Sequence, residues 1–320
     1  MKILVTGGAG FIGSNLANRF AEAGDNQVIA LDDLSLGTPT NLTGGVRFVK
    51  GSVMERHLLM ELTRGCDYIF HDAAKSSSPM FKETPSEGVD VNAIGFMNVM
   101  EGAKKNGVRK VIFASSSSLY SGLPRPFKEN QVISPKSFYE ASFYCREILA
   151  RSYYLEWGLK SIGLRYFSVY GPNEKHKGNF ANNITQFLWD MSAGISPVVY
   201  GDGSQTRDFT HVSDVITANE LAMKSDIEFG LYNIGTGREA SFNEIIRIIN
   251  DQIGTKISPK YLPNPVKNYV RDTLADTSLA KSELGFEAKC TLVDGISRQI
   301  KDLRKNENAR SNSGKNLTMT

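Results

Sequence analysis

Thr6-Gly7-Gly8-Ala9-Gly10-Phe11-Ile12-Gly13 decides the reading of this chain. It follows the apolar run Met1-Lys2-Ile3-Leu4-Val5 and opens an amphipathic stretch, so it joins a strand to a helix. Glycine there allows a tight turn, lets the backbone approach a pyrophosphate, and lets helix pack on strand. The free N–H groups and positive dipole end of the helix then face the anion. An acidic pair, Asp32-Asp33, closes the second apolar run. A carboxylate there accepts from a ribose diol and repels a 2′-phosphate, so NAD is expected rather than NADP.

Outward from this turn, short apolar runs alternate with helical patterns. Lys2 to Thr6, Gln27 to Leu31, Arg47 to Val49, Tyr68 to His71, Lys110 to Ala114 and Ser161 to Arg165 read as strands buried on both faces. Gly13 to Ala23, Met54 to Arg64, Val89 to Asn106 and Tyr139 to Gly158 read as amphipathic helices. The alternation predicts an α/β fold of Rossmann type, a doubly wound parallel sheet with a smaller α/β substrate-binding domain. Residues 1–170, with a return to the sheet over roughly 199–235, form the NAD-binding domain in this reading. Residues 171–198 and 236–304 form the discontinuous smaller domain, with helices from about Asn182 to Ala193 and Ser241 to Ile253. The polar tail 305–320 is expected to be disordered.

Bulk composition narrows the function classes. The 320 residues are 41% hydrophobic and 22% charged, with a net charge of +3. Lys and Arg are scattered, which argues against nucleic acid as partner. No run reaches the ~20 apolar residues of a membrane span, and the first apolar run is too short for a secretory signal core. Cys66, Cys145 and Cys290 are odd in number and far apart, suggesting neither a disulfide framework nor a metal site, so the expected compartment is the cytoplasm.

With its glycine spacing and the motifs that follow, the chain resembles the extended short-chain dehydrogenase/reductase family. It is most similar to the NAD-dependent sugar-nucleotide epimerase/dehydratase branch, of which UDP-glucose 4-epimerase is the best-known member. The resemblance runs from Met1 to roughly Ile300. It implies cofactor contacts from Gly7, Gly10, Phe11, Ile12, Gly13 and Asp32. It also implies them from Ala73 and Ala74 in His71-Asp72-Ala73-Ala74, and from Asn92, which steadies the active-site backbone. Gly51-Ser52-Val53 stands where the family has Gly-Asp-hydrophobic, so Ser52 and Val53 meet the adenine with a weaker partner than a carboxylate.

The family's catalytic tyrosine matches Tyr139, in Tyr139-Glu140-Ala141-Ser142-Phe143. Four residues on, where an ammonium on the same helix face would favour the phenolate, stands Phe143. Lys75 and Lys136 are candidate replacements. Phe113-Ala114-Ser115-Ser116-Ser117-Ser118-Leu119-Tyr120 supplies Ser116, with Ser117 beside it, to hold the reacting hydroxyl. The acid that dehydratases and decarboxylases carry in this segment is missing, which favours epimerisation. The implied reaction is proton removal by Tyr139 with hydride transfer to NAD, rotation of the keto-sugar and hydride return.

For a nucleotide-sugar substrate the resemblance implies Ser168, in Arg165-Tyr166-Phe167-Ser168-Val169-Tyr170-Gly171-Pro172, where the family has Asn. It further implies Asn182, Asn183, and a diphosphate clamp of Arg207 and Arg271. Asn182 reads equally as a helix N-cap. His211 reads as a packed structural histidine. The branch usually dimerises through the helices carrying Asn92 and Tyr139, so a homodimer is expected. A protein that binds NAD and sugar nucleotide without turnover is the rival class, and a reductase or dehydratase the alternative within the enzymes.

Overall fold

The computed structural model describes residues 1–264 and 270–315, with side chains up to residue 304. Its strands are β1 (Lys2–Thr6), β2 (Gln27–Asp32), β3 (Val46–Lys50), β4 (Tyr68–His71), β5 (Lys110–Ser116), β6 (Ser161–Tyr166), β7 (Val198–Tyr200), β8 (Thr206–Arg207), β9 (Phe229–Ile234), β10 (Ala240–Ser241) and β11 (Lys260–Leu262). The helices are α1 (Phe11–Glu22), α2 (Arg56–Leu62), α3 (Pro85–Val89), α4 (Gly95–Asn106), α5 (Phe138–Trp157), α6 (Asn183–Ser192), α7 (Val212–Lys224), α8 (Phe242–Ile253), α9 (Ser278–Leu284) and α10 (Leu292–Lys315).

Seven strands make one sheet in the order β3-β2-β1-β4-β5-β6-β9, every pair parallel. Successive residues of β1 face opposite layers, as strand geometry dictates. Ile3 and Val5 pack with Leu16, Phe20, Val215 and Phe286, whereas Leu4 packs with Leu59, Phe96 and Val99. Both faces are therefore apolar, which is why these strands read as continuous hydrophobic runs. The order reverses between β1 and β4, and a cleft opens there at the carboxyl ends of the strands.

A third apolar core joins Ile184, Phe187, Val199, Phe209, Phe242, Ile245 and Ile296, drawn from α6, β7, the segment after β8, α8 and α10. Here the structure corrects two expectations. β7 and β8 pair with β11 and β10, not with the large sheet, so the return to the sheet begins at α7. Helix α10 continues to Lys315, so residues 305–315 are helical. An already nucleated helix propagates through Lys, Glu, Ala and Arg at little cost. The final five residues of the expected tail lie outside the described residues. The helix read from Val89 to Asn106 is broken by a π turn, Asp90–Ile94, which carries Asn92.

Candidate active site

The Gly loop is built by close contacts that admit no side chain. A Cβ at Gly13 would stand 2.1 Å from the carbonyl oxygen of Gly7. Gly7 has φ +67°, and a Cβ there would lie 2.6 Å from the Ala73 nitrogen, locking the loop against the segment after β4. Gly10 differs: its Cβ would meet only Gly7 O at 3.1 Å and Asp32 Oδ2 at 4.0 Å. It is also the N-cap of α1 and gives that helix no side-chain cap, so the first N–H groups stay available. Asp32, at the end of β2, accepts from Ala9 N at 3.0 Å and Leu34 N at 2.8 Å. Burial raises its carboxyl above the ordinary value, and these backbone bonds oppose the rise.

The cleft measures about 370 Å³. Gly7, Gly10, Phe11, Ile12, Gly13, Asp32, Ser52, Val53, Ala73 and Ala74 line one part of it, and Ser116, Ser117, Tyr139, Ser168 and Asn182 another. An uncapped helix N-terminus, a backbone bare of Cβ atoms and a carboxylate ending β2 together fit a dinucleotide. Ser52 is partly spent locally: its Oγ accepts from Met54 N at 3.2 Å, while Glu55 takes its N–H.

Asn92 is fully buried behind this wall. Its Oδ1 accepts from Lys75 N at 2.8 Å, and its Nδ2 donates to Lys75 O at 3.2 Å and Ser142 Oγ at 3.0 Å. Those bonds tie the segment after β4 to α5.

At the other end, Ser116 Oγ and Tyr139 OH lie 3.2 Å apart. Ser116 ends β5 and accepts from Ser118 N at 3.2 Å, which fixes its rotamer. Tyr139 is placed in the first turn of α5, whose N-cap Ser137 accepts from Glu140 N. Burial pushes the Tyr139 hydroxyl above the ordinary phenol value; bonds from Ser116 and Ser118 and the positive charge of Arg146 act against this. Phe143 is 3% exposed and packs with Leu119, Tyr120, Phe127 and Phe167. Of the two lysine candidates, one is held in an ion pair and the other is exposed. Lys75 pairs with Glu87 at 2.9 Å, and the Lys136 ammonium lies against Gly122, 2.1 Å from where a Cβ would stand.

Three expected substrate contacts lie outside the cleft lining: Asn183, Arg207 and Arg271. Arg207 donates to the carbonyls of Val270 and Arg271, each at 2.6 Å, and lies over the Phe242 ring. Arg271 binds Asp272 at 3.0 Å and Ser204 Oγ at 2.6 Å. Asn182 caps α6, accepting from Ile184 N at 3.0 Å, and also faces the cleft. Ser168 has φ +31°, a conformation that suits Asn better than Ser. His211 caps α7 and is buried, which pushes its pKa down to about 4.

Sequence reasoning passed over three groups here, two buried and one half-buried. Arg146 is wholly buried beneath Tyr139 and Phe143. Asp72 lines the cleft, and its burial raises the carboxyl to about 7. Glu147 forms a buried bidentate pair with Arg165, at 2.8 and 2.7 Å, and accepts from Ser115 at 2.6 Å, binding α5 to β5 and β6. The spacing 139, 143, 146 was the available signal, since these positions share one helix face. Among the described residues no group of three or more His, Cys, Asp or Glu could hold a metal, and no helix is long and apolar enough to cross a membrane.

Comparison with known proteins identifies the family. The profile of the NAD dependent epimerase/dehydratase family matches residues 3–235. A putative UDP-glucose 4-epimerase of Methanocaldococcus jannaschii is 35% identical over 307 residues, covering 95% of this chain and 99% of the relative. The UDP-glucose 4-epimerase of Thermotoga maritima, solved with UDP-glucose, superposes with a TM-score of 0.91 at 33% identity, over 96% of this chain and 99% of its own. That of Thermus thermophilus, solved with NAD, gives a TM-score of 0.86 at 29% identity, over 95% of this chain and 99% of its own. A profile match over more than half of the chain and a relative of this identity show that the chain belongs to the NAD-dependent epimerase/dehydratase family.

Proposed function

We propose that the protein is a nucleotide-sugar epimerase acting on a UDP-hexose at C4. The observation that carries this reading is the Ser116–Tyr139 contact of 3.2 Å inside the dinucleotide cleft. Ser116 holds the sugar hydroxyl, and Tyr139 takes its proton as general base and later returns it. Bound in the cleft, NAD supplies the acceptor and then the donor of the hydride. Ser117 and Ser118 leave this segment without a carboxylic acid, which supports epimerisation over dehydration.

Turnover is attenuated in this reading. A phenol titrating near 10 is about 0.1% ionised at neutral pH, whereas one lowered to about 7 is half ionised. Arg207 and Arg271 reach the sugar diphosphate by exchanging their present bonds to carbonyls and Asp272 for phosphate oxygens. Residues 171–198 and 236–304 form the discontinuous substrate-binding domain in this reading.

Incubation of the purified protein with UDP-glucose, UDP-N-acetylglucosamine and dTDP-glucose, without added cofactor, tests the reading. Epimeric product from a UDP-sugar is expected. No turnover of any of them, with NAD still bound, would favour the rival: a protein that binds cofactor and sugar nucleotide without chemistry. The departures at Ser52, Phe143 and Ser168 support that second reading.

Exposed apolar residues on α5, Ile148, Leu155 and Trp157, support a homodimer through this helix. Three free cysteines support the cytoplasm as its compartment.

A further inference from the structure

Arg146 is buried without any carboxylate in ion-pair contact among the described residues, although a guanidinium in a protein interior ordinarily has one. Its hydrogen bonds run to neutral oxygens. Nε donates to Asn92 O at 2.7 Å, and Nη2 to Ala73 O at 2.8 Å and Asn92 Oδ1 at 3.2 Å. Nη1 reaches Ala114 O at 3.4 Å. The charge is thus delivered to the junction of β5, the π turn and the segment after β4, behind the catalytic cleft. Its guanidinium carbon lies 4.7 Å from the centre of the Phe143 ring, and that ring lies 5.0 Å from the Tyr139 ring.

Two facts therefore meet at one helix face. The residue four positions after Tyr139 lacks a charge, and the residue seven positions after it carries a charge with no paired anion. We propose that Arg146 takes over the electrostatic role of the missing ammonium, holding positive charge against Tyr139 through the Phe143 ring. It is a positioning residue, since it touches neither substrate nor the reacting hydroxyl. An aromatic ring suits this position because its face attracts the guanidinium and its low polarity leaves the field of that charge unscreened. An alkyl ammonium at position 143 would instead crowd a second cation against the first.

The titratable groups around this pair are Glu140 and Cys145 on α5, His71 at the end of β4, and Asp72 and Lys75 after it; burial and the Arg146 charge keep His71 neutral. Glu87 on α3 neutralises Lys75. Asp72 is the group that opposes Arg146, because its ionisation places a negative charge beside the guanidinium. Burial lowers the Arg146 pKa, yet a guanidinium keeps its proton throughout the range in which a phenol titrates.

The inference rests on Tyr139 being the base, and its test does not require turnover. The near-ultraviolet phenolate signal of Tyr139 is isolated by subtracting the titration of Tyr139→Phe, with NAD present. In Arg146→Gln the Tyr139 midpoint should rise by about one pH unit, a tenfold loss of phenolate at neutral pH. In Arg146→Lys, which keeps the charge but fewer bonds, the midpoint should stay within about half a unit even if thermal stability falls.

An unmoved midpoint in Arg146→Gln overturns the proposal. So does a midpoint that rises equally in both variants, which would mark Arg146 as scaffolding. Should Arg146→Gln not fold, Arg146→Met, which removes the charge but keeps the apolar bulk, is read by the same criterion. If no sugar nucleotide is turned over, the titration still answers for Arg146. If turnover is found and the midpoint is unmoved, the epimerase reading stands and this inference falls.

Discussion

The cleft is made in two ways at its two ends. At the Gly loop the binding groups are backbone N–H donors, and what the sequence must supply is absence: no Cβ at Gly7 or Gly13, where the backbone packs on itself. At the Tyr139 end the site depends on side chains. There a phenol, a serine, an aromatic ring and a buried guanidinium meet. The first kind of site tolerates almost no substitution but needs no compensation. On the proposal for Arg146, the second can lose one member and be repaired from another turn of the helix, because charge acts over several ångströms whereas steric room does not.

The sharpest way to break this contrast is at Tyr139. Tyr139→Phe removes the proton acceptor while keeping the ring against Phe81 and Phe143. Turnover should fall about a thousandfold, with NAD retained. A loss of less than about tenfold would show that Tyr139 is not the base. Phe143→Lys comes next. If the ammonium lowers the phenol from near 10 to about 7, phenolate content should rise by up to about five hundredfold. The same change removes a buried ring and sets a cation beside Arg146, at a cost of about 3 kcal/mol in stability. Comparing initial rates per folded molecule separates the two effects, and a lower rate at full folding would argue that Arg146 already serves the tyrosine.

Gly13→Ala tests the other end. A methyl 2.1 Å from Gly7 O cannot be relieved by rotating a side chain, because the obstacle is backbone. Stability should drop by about 3 kcal/mol, and NAD should no longer copurify. Denaturant melts that match the native protein would show that the loop yields.

How much of this was legible follows from the same contrast. The Gly loop, Asp32 and the parallel strands could be read because each is fixed by residue type at a set spacing and by continuous apolar runs. Ser116 and Tyr139 were legible as a pair only through resemblance, since 23 residues of chain separate them. Arg146 was not found, although its spacing from Tyr139 was visible, because a lone arginine on a helix is usually solvated; only burial distinguishes it. Arg207 and Arg271 were expected to face the substrate, yet the structure gives their donors to nearby carbonyls and Asp272. Spacing says which residues lie near a site, not which hydrogen bonds they have already made.

Asp72 gives a smaller effect with a definite sign. Its folded-state pKa is about 7, above the ordinary 3.8 of an aspartate. The folded protein therefore holds the proton more tightly, and the stability this group contributes is intact below pH 3.8 and lost as pH rises towards 7. Asp72→Asn should leave stability unchanged near pH 4 and raise it by about 2 kcal/mol near pH 8, measured by denaturant melts at both. A variant less stable near pH 8 would mean that the Asp72 anion supports Arg146 more than burial penalises it.

The smallest effect on folding belongs to Gly10→Ala, and it divides the Gly loop itself. Gly10 has φ −76°, so an alanine adopts its conformation without strain. Its Cβ would find one tight contact, Gly7 O at 3.1 Å, and otherwise space on the cleft side. Stability should change by less than about 1 kcal/mol. The methyl, however, fills the approach to the first N–H groups of α1, where a pyrophosphate must come close. NAD affinity should weaken by about tenfold or more, read by fluorescence titration. Gly13→Ala and Gly10→Ala then fail for different reasons, one in folding and one in binding. Equal losses of stability in both would mean that the loop is packed throughout, with no face of it reserved for the cofactor.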